Sequence, residues 1–278
     1  MPKTTYQIRK IDIEKVIRSQ EHKLIKNLPG FVIYLLKKII KEKELNELIE
    51  LGRTKKNIDY ISAVLQQLNI KSEVIGPENV PKNNNLIIAA NHALGGMDYF
   101  ALMFVLKNRF PVVKSLANEI LLNVDPLKEI FLPVNVFGKN SEKNKKLVDE
   151  AMADNQTPIF IFPSGEVARK YHGKMDDGKW RSGFIRYALE YKRDILPVFI
   201  AAENSKFFYR LAGFRRFIGL KANLELFLLP REILKQKNKS IKIIIGKPIL
   251  HSTFNRTKNV KEWATKVKEK VYQLGENR

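Results

Sequence analysis

The residues best suited to chemistry in this sequence are a histidine and an aspartate six positions apart, His92 and Asp98. A neutral imidazole can take a proton from a hydroxyl group, and a carboxylate bonded to its far nitrogen fixes the tautomer and stabilises the imidazolium. Gly95 and Gly96 lie between the two and let the backbone turn sharply, so that Asp98 can return towards His92. On these residues alone an equal alternative is that His92 caps a helix whose first turn contains Asp98.

A second polar cluster, FPSGEVAR from Phe162 to Arg169, combines a glycine turn with an acid and a base. Arg169 and Lys170, together with backbone N–H groups of the turn, can hold a phosphate or a carboxylate. Taken by itself, however, this cluster is explained more simply as a tight strand-to-loop turn that carries surface charges.

The first cluster follows LIIAA at 86–90, a short apolar run of the kind that forms a buried parallel strand, and the second begins within PIFIFPSGE at 158–166, a strand that runs into a turn. Segments with helical periodicity alternate with strand-like runs, so we predict an α/β protein with a mostly parallel sheet flanked by helices. In such a sheet ligands bind at the carboxyl ends of the strands, where both clusters fall. The other predicted strands are 110–117, 132–138, 194–202, 223–230 and 241–249, with helices at 97–108, 141–155 and 180–192.

The N-terminal part of the chain, residues 1 to about 75, has apolar residues three or four apart and is predicted to be helical. The stretch GPENVPKNNN at 76–85 is rich in Gly, Pro and Asn, which indicates a turn or linker. We therefore predict an N-terminal helical region at 1–75 and an α/β domain at 76–278. A last helix with an apolar face from Val260 to Leu274 is predicted to pack against the α/β domain.

The sequence carries a formal net charge of +21, from 50 Lys and Arg against 29 Asp and Glu, which favours an anionic partner. Nucleic acid, an anionic membrane surface and an acidic carrier protein all meet that requirement. The chain has no cysteine and only 4 histidines, none in metal-type spacing, so we expect neither a disulfide framework nor a metal site. No helix-turn-helix, zinc module or RNA-binding aromatic motif accompanies the charge, so no nucleic-acid partner is expected.

Taken together and in this order, the two clusters resemble the family of glycerol-phosphate and 1-acylglycerol-3-phosphate acyltransferases over about residues 75–250. That family carries Asn-His-x-x-x-x-Asp after its first strand, then Phe-Pro-Glu-Gly-Thr-Arg-Ser, a Gly-Ala helix and a Val-Pro-Val strand. The whole set in this order is fairly specific, whereas no single piece is. The matching residues are Asn91, His92, Asp98, Phe162, Pro163, Gly165, Arg169, Gly183 and Leu196-Pro197-Val198.

Two departures from the family pattern bear on the site. Five residues rather than four separate His92 from Asp98, and the glycine loop can absorb the extra one. Ser164 stands where the family has its motif glutamate, and Glu166 follows two places later. Because that block helps bind the acceptor's phosphate in the family, we expect an acceptor other than the usual phosphate-bearing one. The HALGGMD and FPSGEVARK segments look like those of a bacterial subgroup related to lyso-aminolipid O-acyltransferases of the glycine or ornithine type.

The resemblance implies that His92, oriented by Asp98, deprotonates a hydroxyl of a lysophospholipid or lyso-aminolipid. The alkoxide then attacks an acyl thioester carried by acyl carrier protein or coenzyme A. Neither an acyl-enzyme nor a serine hydrolase is expected, since the chain has no cysteine and no Gly-x-Ser-x-Gly elbow. No cofactor is expected beyond the thioester co-substrate. The residues implied to bind substrate are Asn91, Lys139, Phe162, Pro163, Ser164, Gly165, Glu166 and Arg169.

A basic segment at 205–221, SKFFYRLAGFRRFIGLK, contains five basic residues and no acidic one. A basic helix with an aromatic stripe is typical of binding to an anionic membrane surface, and residues 31–41 are a second candidate. The alternative is that both stripes pack on the body of the protein. At helical spacing the stripe of the first segment consists of Phe207, Leu211, Phe214 and Ile218.

The apolar runs near the N-terminus bear on where the protein is found. The uncharged run at 28–36 is far shorter than the roughly 20 apolar residues that span a bilayer, and the first residues lack the apolar core of a secretion signal. We therefore expect a cytoplasmic protein that is peripheral on the inner face of the cell membrane. The remaining alternative is a basic nucleic-acid-binding or membrane-surface-binding protein without catalysis.

Overall fold

The computed structural model describes residues 5–18, 26–135, 140–171, 173–220 and 223–276. The described helices are α1 (Ile13–Arg18), α2 (Gly30–Ile40), α3 (Glu42–Glu50), α4 (Asn57–Gln67), α5 (Gly96–Leu106), α6 (Glu142–Ala153), α7 (Gly183–Glu190), α8 (Lys206–Phe217), α9 (Leu229–Leu234) and α10 (Val260–Glu276). The described strands are β1 (Lys71–Ile75), β2 (Leu86–Ala90), β3 (Lys114–Asn118), β4 (Phe131–Val134), β5 (Ile159–Ile161), β6 (Arg169–Tyr171), β7 (Lys174–Asp176), β8 (Asp194–Ala201) and β9 (Ser240–Ile245).

The strands form a seven-stranded sheet in the order β1-β9-β8-β2-β5-β3-β4 and a separate hairpin of β6 and β7. Every neighbouring pair in the large sheet is parallel except β8 and β9, which are antiparallel. The predicted α/β class, a mostly parallel sheet flanked by helices, is therefore confirmed, and α1 to α4 form the predicted N-terminal helical region.

Helices cover both faces of the sheet, as the side chains of the central strand β2 show. Leu86 and Ile88 belong to a core formed with α4 and α5, whereas Ile87 and Ala89 belong to a second core formed with α6, α7 and α10. A parallel strand buried on both faces has no solvent side, which is why β2 is apolar throughout. The two cores hold the carboxyl ends of β2, β5 and β8 at one edge of the sheet, here the carboxyl edge, and the amino ends of β2 and β8 at the opposite, amino edge.

One predicted strand, at 223–230, is wrong. Leu224–Leu228 forms a 3-10 turn and α9 begins at Leu229. Pro230 fits the first turn of a helix, where no partner awaits its missing N–H, but it cannot donate within a central strand. Conversely, β1 was not predicted, because it is an edge strand of alternating exposure that no apolar run marks.

Two further features of the N-terminal region depart from a simple helical pattern. The periodic stretch that follows residue 30 is divided into α2 and α3 at Lys41, whose φ of 64° is left-handed. The division of the chain after residue 75 stays a prediction; β1, just before it, pairs with β9.

In the described part of the chain, no helix is both long and apolar enough to cross a membrane.

Candidate active site

A cavity of about 1580 Å³ opens at the carboxyl edge of the sheet. His92 and the segment from Phe162 to Glu166 line it, next to the glycine loop that precedes α5. Apolar side chains continue the wall between the sheet and the N-terminal helices. These include Leu45 and Leu48 of α3, Tyr60 and Val64 of α4, Tyr99 and Phe100 of α5, and Leu127 and Phe131 near β4.

His92 and Asp98 are in contact at the N-terminal end of α5. The imidazole Nδ1 lies 3.0 Å from Asp98 Oδ2, and Asp98 is fully buried. The same Oδ2 accepts the backbone N–H groups of Leu94 at 2.8 Å and Gly95 at 3.1 Å. A carboxylate acceptor places the proton on Nδ1 and leaves Nε2 as the acceptor, and Nε2 has no hydrogen bond among the described residues. The pair therefore has the arrangement that a general base and its orienting group require.

Asp98 lies both beside the His92 ring and at the start of a helix. Asp98 does lie in the first turn of α5, but Gly95 rather than His92 is the residue that caps this helix. Gly95 has a φ of 95°, a conformation that glycine adopts readily and other residues rarely do. This glycine turn brings Asp98 back to the imidazole, as its position in the sequence predicted.

The second cluster holds His92 from the other side. The Phe162 ring stacks on the imidazole with centroids 3.7 Å apart and an angle of 21° between the planes. The Ala168 N–H donates to the carbonyl oxygen of His92 at 2.6 Å. The His92 N–H donates to Asp177 Oδ2 at 3.2 Å. The chain that follows β5 therefore fixes both the ring and the main chain of His92.

Ser164, Gly165 and Glu166 form a closed turn in the cavity wall. The Gly165 N–H donates to the Phe162 carbonyl at 3.0 Å, with φ of 69° at the glycine. The Ser164 hydroxyl donates to the Glu166 carbonyl at 3.0 Å and accepts the Glu166 N–H at 3.3 Å. The Ser164 hydroxyl thus bonds within the turn, and Phe162 and Pro163 line the cavity beside it. Contact of these five residues with substrate stays a prediction.

Arg169 is bound within a buried ion cluster. Its Nε lies 3.0 Å from Glu225 Oε1, and Arg215 Nε lies 3.0 Å from Glu225 Oε2. The Arg169 guanidinium also donates to the Val167 carbonyl and lies over the Phe208 ring. Glu225 is fully buried and neutralises only one of the two guanidinium groups, so the cluster leaves a net positive charge at the cavity wall. Binding of a substrate anion by Arg169 stays a prediction.

One predicted substrate residue, Asn91, is not on the described cavity wall. Asn91 is buried and engages both ends of its amide with the main chain of Ile200, its Nδ2 donating at 3.0 Å and its Oδ1 accepting at 2.7 Å. This pairing joins the carboxyl ends of β2 and β8. Lys139 lies outside the described residues.

Sequence reasoning missed a second carboxylate beside His92, that of Asp177. Burial raises the pKa of Asp177, while hydrogen bonds from Tyr272, Trp180 and the His92 N–H oppose that rise. It also missed Glu225, the partner of Arg169. Each had a signal in the sequence, since Asp177 belongs to the doublet in KMDDGKW and Glu225 is the single charge in NLELFLLP.

The fold and the site thus place a histidine–aspartate pair on a large, mostly apolar cavity at the carboxyl edge of an α/β sheet. A family model described as Acyltransferase matches residues 15–277. The lyso-glycine lipid O-acyltransferase of Phocaeicola vulgatus is 35% identical over 265 residues, covering 95% of each chain. The lyso-glycine lipid O-acyltransferase of Bacteroides thetaiotaomicron is 36% identical over 265 residues, covering 95% of this chain and 97% of its own.

The chain belongs to this acyltransferase family, and it is an acyltransferase, as the resemblance predicted. Among solved structures, the 1-acyl-sn-glycerophosphate (LPA) acyltransferase PlsC from Thermotoga maritima aligns with a TM-score of 0.48 and 20% sequence identity, covering 88% of each chain.

Proposed function

We propose that this enzyme transfers a fatty acyl group from a thioester to the hydroxyl of a lysophospholipid or lyso-aminolipid. The observation that carries the proposal is the His92–Asp98 pair, 3.0 Å apart, on a cavity of about 1580 Å³ whose inner wall is apolar. A base at the edge of an apolar cavity fits a substrate with a reactive polar end and a long hydrocarbon chain. A basic protein that only binds nucleic acid or a membrane would need no such pair.

In the proposed mechanism His92 Nε2 takes the proton of the acceptor hydroxyl as its oxygen attacks the thioester carbonyl. The C–S bond then breaks, and the thiolate leaves with the proton that the imidazolium returns. Asp98 and the face of the Phe162 ring stabilise the imidazolium while it is charged. One direct transfer suffices, so no acyl-enzyme forms.

The acceptor to test first is a lyso-glycine lipid, because both relatives above carry that substrate in their names. Ser164 supports this choice, since it replaces the glutamate of the phosphate-binding block. The ion pair of Arg169 with Glu225 supports it too, because part of the Arg169 guanidinium is already bonded to a carboxylate inside the protein.

The thioester donor is proposed to approach along a basic rim of the cavity. Lys179, Arg181, Arg186 and Lys261 all line the cavity and are all exposed. Cations at an entrance attract an anionic partner and raise its rate of encounter. Both candidate donors suit this rim, since coenzyme A carries phosphates and an acidic acyl carrier protein carries carboxylates.

An aromatic surface on α8 supports contact with the membrane that supplies the acceptor. Of the predicted stripe, Phe207, Phe214 and Ile218 are exposed, whereas Leu211 packs partly against the protein. Phe217, outside the predicted stripe, is 88% exposed. The neighbouring Leu224–Leu228 turn exposes Phe227, and α2, which contacts that turn, exposes Phe31, Tyr34 and Leu35. Exposed aromatic groups beside lysines and arginines are suited to an anionic lipid surface.

The enzymatic proposal is tested with purified protein and four substrate pairs. Lyso-glycine lipid and lysophosphatidic acid are each incubated with acyl carrier protein thioester and with coenzyme A thioester, and acylated lipid is measured. We expect acylation of the lyso-glycine lipid, with one donor preferred. If none of the four pairs yields acylated lipid, or if His92→Ala yields as much as wild type, the proposal is wrong.

The membrane part is tested by flotation with vesicles of neutral or anionic lipid. We expect enrichment on anionic vesicles that the double variant Phe214→Ser, Phe217→Ser loses. The matched control is Leu189→Ser, Leu250→Ser, which removes two exposed apolar side chains on other elements. Equal flotation of the two double variants would contradict a membrane role for α8.

A further inference from the structure

We propose that Asp177 is a positioning residue for His92, acting as the central link of a tie that connects α10 to the main chain of the base. The inference rests on the proposed function of His92. The tie consists of Tyr272 on α10, Trp180, Asp177 and the His92 N–H. Asp177 lies far from the histidine motif in the sequence, and the fold of the hairpin β6–β7 brings it to His92.

The Asp177 carboxylate accepts hydrogen bonds from three separate parts of the chain. Oδ1 accepts from the Tyr272 hydroxyl at 2.8 Å and from Trp180 Nε1 at 3.1 Å. Oδ2 accepts from the His92 N–H at 3.2 Å and also from Trp180 Nε1 at 3.2 Å. The Asp177 N–H in turn donates to the Tyr272 oxygen at 3.0 Å. A buried carboxylate with this many donors has a single orientation.

The far end of the tie is anchored on α10, which packs against the sheet. Lys268 of α10 lies 2.8 Å and 2.9 Å from the two carboxylate oxygens of Asp176, and it donates to the Gly178 carbonyl at 2.8 Å. α10 itself is fixed by buried Ala264, Val267 and Val271 against the sheet and α7. The turn that presents Asp177 therefore cannot move without disturbing α10.

The hydrogen bond from the His92 N–H to Asp177 fixes the main chain at a position that the sheet no longer holds. His92 is two residues beyond β2, where the pairing of the sheet has ended. The Ala168 N–H holds its carbonyl, and Asp177 holds its N–H, so the peptide planes on both sides of the imidazole are fixed. An error of about 1 Å in the placement of a reacting group lowers a rate about 100-fold.

The donors around Asp177 require a carboxylate at this position. Burying an ionised group is unfavourable unless hydrogen bonds compensate for lost water. All side-chain partners of Asp177 are donors, so an asparagine of the same shape would turn its NH2 group towards one of them. Only an acceptor at both oxygens meets the indole, the phenol and the His92 N–H together.

The test compares Asp177→Asn with Asp176→Asn in the acyl-transfer assay of the full-length protein. Asp177→Asn keeps size and shape but replaces one acceptor with a donor. We expect its kcat to fall about 10- to 100-fold with KM within about 2-fold of wild type. Asp176→Asn removes a neighbouring negative charge but keeps an oxygen that can accept from Lys268, which also still donates to the Gly178 carbonyl. It leaves the bond to His92 intact, so its kcat stays near wild type. Tyr272→Phe, which loses one donor, is expected to fall between the two.

A second readout does not depend on turnover. The chain has 4 histidines, so the imidazole resonances of His92 can be assigned by comparison with His92→Ala. We expect these resonances to shift or broaden in Asp177→Asn and to remain as in wild type in Asp176→Asn. If the wild-type protein transfers no acyl group, the proposed function fails, and the resonances still decide the positioning role.

Three results would overturn the inference. One is a folded Asp177→Asn protein with wild-type kcat. Another is a rise in KM without a fall in kcat. The third is a fall in kcat while the His92 resonances stay unchanged, since Asp177 would then act by another route. If Asp177→Asn does not fold, Tyr272→Phe decides by the same kcat and resonance criteria.

Discussion

The two edges of the sheet each carry a histidine paired with an aspartate. At the carboxyl edge, His92 Nδ1 lies 3.0 Å from Asp98 Oδ2, and at the amino edge His251 Nδ1 lies 3.0 Å from Asp194 Oδ1. The His92 side chain is 16% exposed and lines the cavity, whereas the His251 side chain is 39% exposed and is not among the described residues that line it. The distance within the pair is thus the same, and the surroundings differ.

Pairing with an aspartate does not by itself make a histidine a base. Asp98 is fully buried and bonds two backbone N–H groups besides the imidazole, so its carboxylate is held in place. Asp194 begins β8, and its Oδ1 also accepts the His251 N–H at 2.9 Å, which closes a local turn at the end of that strand. What distinguishes His92 is that its ring lies next to space for a substrate.

The largest expected difference between the edges is in catalysis. We expect His92→Ala to lower kcat/KM for acyl transfer about 10⁴-fold, the upper end of what a general base contributes. His251→Ala, which removes the same side chain from the other edge, should stay within about 2-fold of wild type, as surface substitutions do. Both are measured by initial rates on protein whose circular dichroism matches wild type. Comparable losses in the two variants would mean that the pairs are not distinguished by the cavity.

Substitution at the amino edge should instead affect stability more than catalysis, because this edge holds a fully buried arginine, Arg193. Arg193 donates only to main-chain carbonyls, at 2.9 Å to Met152 and 3.1 Å to Leu86 and Thr157, and it also bonds Ala151 and Asp154. It thereby joins the end of α6 to the starts of β2 and β5.

Arg193→Met would leave those carbonyls buried without a donor. We expect it to lower the free energy of unfolding by about 4 kcal/mol, measured by urea denaturation, while the specific activity of the folded fraction stays near wild type. A loss below about 1 kcal/mol would show that water or neighbouring groups replace the guanidinium.

How far the sequence predicts this arrangement differs between the edges. The carboxyl-edge residues were found because His92, Phe162 and Arg169 stand in motifs that follow apolar strands. The amino-edge network was not found, since the hydrogen bonds that Arg193 makes with described residues all go to main-chain carbonyls, and a carbonyl has no sequence signature.

The failures at the carboxyl edge have the same physical origin. Asp177 and Tyr272 are 95 positions apart, and nothing in the spacing of either indicates that they meet. Glu225 was assigned to a strand, although a single charge in an apolar run signals a buried partner. Local periodicity predicts elements, but long-range polar contacts depend on how the elements pack.

The two aspartates of the pairs provide a smaller test. Asp98→Asn keeps the shape of the orienting group but removes its charge, which favours the wrong tautomer and leaves the imidazolium without a counter-charge. We expect kcat to fall about 100-fold with KM little changed. Asp194→Asn should leave kcat unchanged and lower the free energy of unfolding by about 0.5 kcal/mol, as expected of a partly exposed pair. A loss of kcat in Asp194→Asn would contradict the separation of the two edges.

The smallest expected difference is in the response of stability to pH. Burial raises the pKa of Asp177 above its ordinary value of 3.8. In the interval above 3.8 the folded protein therefore binds more protons than the unfolded chain, so its free energy of unfolding falls as pH rises. Relative to Asp177→Asn, the wild-type protein should be most stable at low pH and lose that advantage towards neutral pH.

The Arg193 network of the amino edge should contribute no such slope. Burial lowers the pKa of Arg193 from its ordinary value of 12.5, yet an arginine remains charged in proteins throughout the range from pH 4 to 8. The stability difference between wild type and Arg193→Met should therefore be flat over that range. Thermal melts of the three proteins at several pH values measure both differences. If the stability difference between wild type and Asp177→Asn rises with pH, the site favours the ionised carboxylate. Its hydrogen bonds would then outweigh the effect of burial.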